Sequence, residues 1–439
     1  MATQSNPYAD FHRQCLEASQ SWGEQLGAGL RWLDDVRSEG RSLFAGLELP
    51  TRKTEAWRYT PIAPIVQGDI LRLRTTESAD APQGITGDFY TLTFHNGQLT
   101  ASDIDDSALE AIPFSSADAA GQALIKEYLG KTFDAARHPF AALNAGTLQD
   151  GALIRVKKDS KALKPLQIVH TADVSGDPAS SYNRVIVVVE AGSKLELLET
   201  YVDTKERKVF QNTVTEVFLA ANSTMTHYAL NCEGANQIHT GCVFVEQQGG
   251  SQYEQHAFAT GGALKRRDIN VKLLGQLASC KLNGVYLAGG REHVDFHTTI
   301  EHVAPHCVSE ETYKGIINGK GKAVFNGRVH IHRDAQQSSA AMNNNNLLLT
   351  NTAEVNTKPE LEIYADDVKC AHGATVGQLD DMALFYFRSR GITRSDAHRM
   401  LSRAFVESVM AEMEIETAHA YVLELAERFY NEGAQEATA

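Results

Sequence analysis

Six cysteines in 439 residues, none of them in a CxxC pair, are too few and too scattered for a disulfide framework or a zinc ribbon. Cys15, Cys232, Cys242, Cys280, Cys307 and Cys370 therefore read mainly as buried free thiols. Long apolar runs are missing too. The longest in the strand-rich middle, Val185 to Val189, falls far short of the ~20 residues a membrane helix needs. The stretch Met1 to Asp10 has neither a positive n-region nor an apolar h-region, which predicts no secretory signal and a reducing, cytoplasmic setting. Basic side chains are outnumbered, 41 against 55 acidic ones, for a net charge of −14. That balance argues against broad nucleic-acid binding, which draws its affinity from phosphate neutralisation.

Catalytic signatures are equally scarce. Gly130-Lys131-Thr132 ends like a phosphate loop, but Ile125 stands where the first glycine belongs and Gly121 is out of step. No GxSxG elbow and no dinucleotide glycine fingerprint occurs. His293-Val-Asp-Phe-His297 carries two histidines like a zincin helix, yet lacks the glutamate base and lies in strand-like sequence. A carbohydrate-cleaving enzyme needs paired carboxylates in a groove, and no such pair stands out. These absences predict a non-catalytic protein.

What is present is an ordinary globular composition, with 43% hydrophobic and 22% charged residues and a mean hydropathy of −0.29. Three regions are predicted: helical and mixed over 1–150, β-rich over 151–378, and helical over 379–439. In the first, Tyr8, Phe11 and Cys15, then Trp22, Leu26, Leu30 and Leu33, recur at helical intervals. Lys53-Thr-Glu-Ala-Trp-Arg-Tyr-Thr60 reads as a connector whose Trp57 and Tyr59 pack on a neighbour. Strand-like Phe89 to Phe94 and a helical piece around Ala119 to Leu129 follow. In the last region Leu401, Phe405, Val409 and Met413 share a helix face, with Thr393 or Ser395 as N-cap. A final helix through Ala418, Val422, Leu425 and Phe429 is expected to end at Gly433.

The middle region repeats. Ser160, Ser193, Ser223, Ser251, Ser279 and, more loosely, Ser309 are spaced by 33, 30, 28, 28 and 30 residues. Alternating apolar segments flank them, Val187/Val189 and Val243/Val245 before the turns, Leu195/Leu197 and Tyr253 after. Two strands and a turn per unit fit a solenoid, and equally an antiparallel sandwich or barrel. Asn343 to Asn346 tilts the choice toward a parallel β-helix, where stacked Asn side chains form ladders between coils; a polar loop is the alternative.

Two ligand-type pairs stand at strand spacing, where residues i and i+2 face one side. His330/His332 reads first as a polar ladder on an outer strand face. Cys370/His372, at the end of the repeat and before Gly373-Ala-Thr-Val-Gly377, is a candidate metal-ligand pair. Two ligands do not close a tetrahedral site, so the remainder comes from another chain or the site stays open. Arg388, Arg390, Arg394, Arg399 and Arg403 crowd into sixteen residues and offer either a carboxylate-binding surface or a solvated helix face.

Phe325-Asn-Gly-Arg-Val-His-Ile-His332, Asn343 to Leu349, Asn356-Thr-Lys-Pro-Glu-Leu-Glu-Ile-Tyr364 and Ala365-Asp-Asp-Val-Lys-Cys-Ala-His-Gly-Ala-Thr-Val-Gly377 together resemble the SufB/SufD family of iron–sulfur cluster assembly proteins. Lys53 to Thr60 is more similar to the SufD branch than to the SufB branch. The resemblance implies a mainly β chain with a parallel, right-handed β-helix between helical regions. It implies pairing with SufB through the β-helix and binding of the SufC ATPase through the C-terminal helices. Self-pairing of an isolated chain through an uncapped edge is a further option. The implied cargo is a transient iron–sulfur cluster at the subunit interface, with no stable cofactor assured. His372, and secondarily Cys370, stand at the family positions for metal ligands there. The serine often found between them is Ala371 here, a side chain that points away from the pair. A purely structural scaffold with no cluster ligands is the alternative.

Overall fold

In the middle of the chain, successive strands do not pair with each other; each pairs in parallel with the strand after next. The computed structural model describes residues 6–26, 28–68, 71, 84–172, 179–202 and 208–436, so part of the acidic stretch after Gly68 lies outside the described residues. Among these residues the strands form two sheets, one of ten and one of nine, and each coil of the chain adds one strand to each sheet. This is a parallel β-helix flanked by helices at both ends of the chain, and the antiparallel sandwich is excluded.

Register is kept from coil to coil. Leu166 lies beside Leu197, then come His227, Gln255, Leu282, Glu311, Met342 and His372 in one inward-facing column. A parallel column runs Leu195, Met225, Tyr253, Cys280, Ser309, Ala340 and Cys370. The apolar segments that flank the turn serines do fill the interior, with Val187, Val189, Leu195, Leu197, Val243, Val245 and Tyr253 in one core cluster.

The corner between the two sheets explains the serine period. Asp159, Gly192, Asn222, Gly250, Leu277, His306 and Gln337 hold left-handed φ values from +54° to +71°. That backbone is easy for Gly and tolerable for Asn or Asp. The residue after it stacks on its counterpart: the carbonyls of Ser193, Ser223 and Ser251 accept from Thr224, Gln252 and Ser279 of the next coil. The column then continues through Ala278, Cys307 and Ser338, whose carbonyls accept from Val308, Ser339 and Lys369. Ser279 thus stands one position, and Ser309 two, past the true equivalent. A corner needs a left-handed residue more than it needs a hydroxyl, so the serine signal fades while the geometry persists.

The Asn ladder is also corrected. Opposite Asn343 to Asn346 stand Thr312, Tyr313, Lys314 and Gly315 on one side and Gly373, Ala374, Thr375 and Val376 on the other, so no Asn stacks on Asn across coils. The period of two instead buries Asn344 and Asn346 and turns Asn343 and Asn345 outward.

Helices cover both outer faces. The helices Pro7–Gln25 and Asp34–Ala45 bring Phe11, Cys15, Trp22 and Phe44 onto Tyr182, Phe210, Ile238 and Leu264 of the nine-stranded sheet. The connector follows that face: Trp57 is buried and stacks 3.7 Å from the Arg266 guanidinium, which also bonds the Ala56 carbonyl and Asp295. Tyr59 stays 41% exposed, so only one of the two expected aromatics packs. Helices Arg394–Met410 and Glu416–Glu436 place Val406, Val409, Met410 and Val422 on Tyr228, Phe258, Val285 and Ile316 of the ten-stranded sheet, and Met413 joins them from the turn between the helices, since the helix stops at Met410. Thr393 is the N-cap, and the last helix runs past Gly433 to Glu436, so no glycine stop operates there. No helix among the described residues is long and apolar enough to cross a membrane.

Leu277 meets the left-handed requirement at a conformational cost and is 67% exposed, so it gains little packing in return. Leu277→Asn should raise unfolding stability by roughly 0.5–1 kcal/mol, read as a higher urea midpoint at unchanged slope.

Candidate functional site

The two ends of the solenoid differ. At the first, strands Gln98–Asp103 and Leu109–Pro113 run antiparallel to their neighbours and are the outermost strands there. At the other, Glu354–Ile363 and Lys369–Gly377 are the outermost strands of the two sheets, each with one neighbour. In the last coil Glu354–Ile363 is mostly half-buried and Lys369–Gly377 mostly exposed, and Ile363, Tyr364 and Val376 are 41%, 60% and 49% exposed.

Cys370 and His372 lie on that outermost strand, two residues and therefore ~6.6 Å apart along the backbone, facing the same side. They continue the two interior columns, above Ala340 and Met342, into the opening where the next coil would sit. His372 is exposed, while Cys370 is half-buried and packs against the edge of the core cluster. Burial pushes the Cys370 thiol up, and a hydrogen bond with the Ala340 backbone offsets part of that rise. The thiol is therefore disfavoured as a thiolate. No group of three or more His, Cys, Asp or Glu side chains among the described residues is placed to hold a metal ion.

Other sequence candidates fall elsewhere. His330 and His332 face outward with ring centroids 4.3 Å apart, each tied to a carboxylate: His330 Nδ1 to Glu362 at 2.8 Å, His332 Nε2 to Glu301 at 3.4 Å. That is the polar ladder. The Gly130-Lys131-Thr132 turn holds a carboxylate, the buried Glu216, through the Gly130 amide and Thr132 hydroxyl at 2.9 Å each. In the tail, Arg403 pairs with Glu407 and Glu427, and Arg399 with Asp396, so these two serve their own helices. Sequence reasoning missed the apolar surface beside them. Helix Asp381–Ser389 exposes Met382, Phe385 and Tyr386 at 78%, 70% and 55% while burying Leu384. Its apolar residues on more than one face were the available signal.

Polar side chains enter the interior below the site as well. Glu199 is fully buried, accepts from His227 and Thr215 at 2.9 Å each, and despite desolvation is held well below the usual carboxylate range by His170 and His227. Glu311, two coils beneath His372 in the same column, has only the Thr298 hydroxyl as partner at 2.7 Å, and burial pushes its pKa up to about 7.

These features define a class: a parallel β-helix that ends in antiparallel strands on one side and in parallel strands on the other, with a thiol and an imidazole on the last parallel strand and an exposed apolar helix after it. Within that class, the family model for the SufBD core domain of the SUF system of FeS cluster assembly matches residues 170–405. The chain is 31% identical to the iron–sulfur cluster assembly protein SufD of Escherichia coli over 366 residues, 81% of this chain and 84% of that protein. It is 27% identical to a SufBD family protein of Synechocystis over 86% of this chain and 87% of that one. It is 30% identical to the chloroplastic protein ABCI7 of Arabidopsis thaliana over 93% and 88%. The chain belongs to the SufB/SufD family of iron–sulfur cluster assembly proteins and is a homologue of SufD.

A raised carboxyl pKa sets a direction for stability. Between the ordinary value of 4.5 and about 7 the unfolded chain releases a proton that folded Glu311 keeps, so this residue's contribution is complete below pH 4.5 and declines as pH rises to 7. Glu311→Gln should therefore gain stability relative to the parent across that window and differ by a constant amount above it. Urea midpoints of both proteins from pH 5 to 8 check this.

Proposed function

We propose that this chain is a non-catalytic scaffold subunit of a SUF assembly, docking SufB at the open end of its β-helix and the SufC ATPase on its C-terminal helices. The nascent iron–sulfur cluster is the cargo, and His372, with Cys370, supplies ligands that SufB completes. The carrying observation is the pairing of an exposed imidazole and a half-buried thiol on one side of the outermost parallel strand, with no third ligand-type side chain grouped with them among the described residues. Imidazole and thiolate suit iron in clusters. Exposed strand edges invite pairing with another chain, and a partner there adds both backbone partners and ligands in one step. Met382, Phe385 and Tyr386 present an apolar surface on the helix that follows the site strand in the chain, which suits an ATPase whose nucleotide cycle moves SufB against this chain. The competing reading is a passive scaffold on which SufB holds all the ligands.

His372→Ala separates the two. In the reconstituted three-protein complex it should leave assembly intact by gel filtration yet abolish the iron–sulfur absorbance; a normal cluster yield would establish the passive scaffold instead. Phe385→Glu with Tyr386→Glu should lower SufC co-purification at least tenfold while SufB is retained, and unchanged recovery would clear this helix of the role.

A further inference from the structure

The outermost strand Lys369–Gly377 has a ladder on one side only, yet it carries the two side chains whose placement the site requires. Side-chain grips on it are concentrated at one residue, Thr375. Asn345 and Asn346 of the neighbouring strand face opposite sides of the sheet, and both reach it. The Thr375 hydroxyl donates to Asn345 Oδ1 at 2.7 Å on the outer face, and Asn346 Nδ2 donates to the Thr375 carbonyl at 3.4 Å from inside.

The inner jaw is itself fixed. Tyr286 donates its hydroxyl to Asn346 Oδ1 at 2.6 Å, Asn346 donates to Asn344 Oδ1 at 2.6 Å, and Asn344 donates back to the Tyr286 hydroxyl at 2.9 Å and to the Tyr313 carbonyl at 3.3 Å. All three side chains are essentially sealed from solvent. Space for this closed triangle depends on Gly315, where a Cβ would stand 2.1 Å from the Tyr286 ring and 2.6 Å from Asn346 Oδ1. A buried polar triangle adds little net stability over apolar filling, but it admits one arrangement only. Thr375 stands three residues beyond His372 and just before the chain leaves for helix Asp381–Ser389, where a pull on the tail reaches the strand first.

We infer that Asn345 and Asn346 are positioning residues that clamp Thr375 and thereby hold Cys370 and His372 in register at the open end. As a statement about the ligand pair this rests on the proposed function; as a statement about the strand it stands alone. Without the clamp the strand frays from its C-terminal end, and the register of a singly paired strand is weakly specified.

The test uses the full chain and two surface variants that spare the buried triangle, Asn345→Ala and Thr375→Val. Each should speed alkylation of Cys370 by iodoacetamide, located by peptide mass spectrometry, about fivefold, the equivalent of one hydrogen bond. Amide exchange over 370–377 should rise in step. The double variant should be no faster than either single one, and Thr375→Ser should restore the parent rate. In the complex, both single variants should lower cluster yield with SufB still bound. Unchanged labelling and exchange in both variants overturns the clamp even if His372→Ala abolishes the cluster. Faster labelling together with a normal cluster in His372→Ala upholds the clamp and overturns the ligand reading, so the two failures are distinct.

Discussion

From Ala179–Val189 onward, every strand of this molecule obtains its backbone partners from residues about thirty positions away, so hydrogen bonding there is closed only by adding another coil. A stack built this way has two ends, and each leaves a row of amides and carbonyls that some other element has to meet. Antiparallel strands end the sheets at the first. At the second, no further strand among the described residues pairs with Glu354–Ile363 or Lys369–Gly377. That geometry leaves inward-facing side chains of the end coil reachable. Elsewhere along the two columns the equivalents of Cys370 and His372 are sealed by the next turn, as Cys280 and Leu282 are. Location of the site and incompleteness of the site have a single cause.

The interior beneath it is less apolar than a β-helix requires. Glu199 with His170 and His227, and Glu233 with His239 and Lys265, are ionisable groups buried together. Such groups give little net stability when complete and cost several kcal/mol when one partner is removed. Their effect is on choice among alternatives. A slip of one residue between coils would turn Glu199 out of reach of His227 and expose an apolar row, so polar pairs and apolar rows enforce the same register. That register is inherited by every later coil, and the last one carries Cys370 and His372.

Much of this was legible in the sequence because period and polarity act locally. Val187, Val189, Leu195 and Leu197 bracket a corner, and alternation alone assigned them inward. The Cys370/His372 pairing followed from strand spacing without reference to any neighbour. Where the sequence misled, the deciding contact was remote. Ser279 looks like a corner residue, but Leu277 and Ala278 hold that corner, since a left-handed backbone can be imposed on leucine by the coils above and below. The Asn run looked like a ladder because like residues stack in fibrils. Here the adjoining coils offer Tyr313 and Thr375, and the side chains bond to those. Tyr59 was paired with Trp57 by proximity, yet only Trp57 meets an arginine on the sheet, at Arg266. The helix Asp381–Ser389 shows apolar residues on more than one face in the sequence, but which of them stay uncovered is set by what fails to pack on it, and no local pattern reports that.

The state of the Cys370 thiol then bears on when the site acts. Half-buried at the margin of the core, it keeps its proton in the isolated chain, so it is a poor nucleophile and a poor ligand there. A docked partner strand would bury it further and, taken alone, raise its pKa more. A cation arriving in the same step reverses the sign, because attraction between metal and thiolate grows as water is excluded, whereas the cost of desolvation is met only once. If the proposed function holds, the thiol is disfavoured as a ligand before the subunits close and favoured after iron is enclosed. Coupling of this kind would let a scaffold gather ligands for a reactive cluster without presenting a reactive thiolate beforehand. It needs no catalytic group in this chain, only a strand held in register at an end left open.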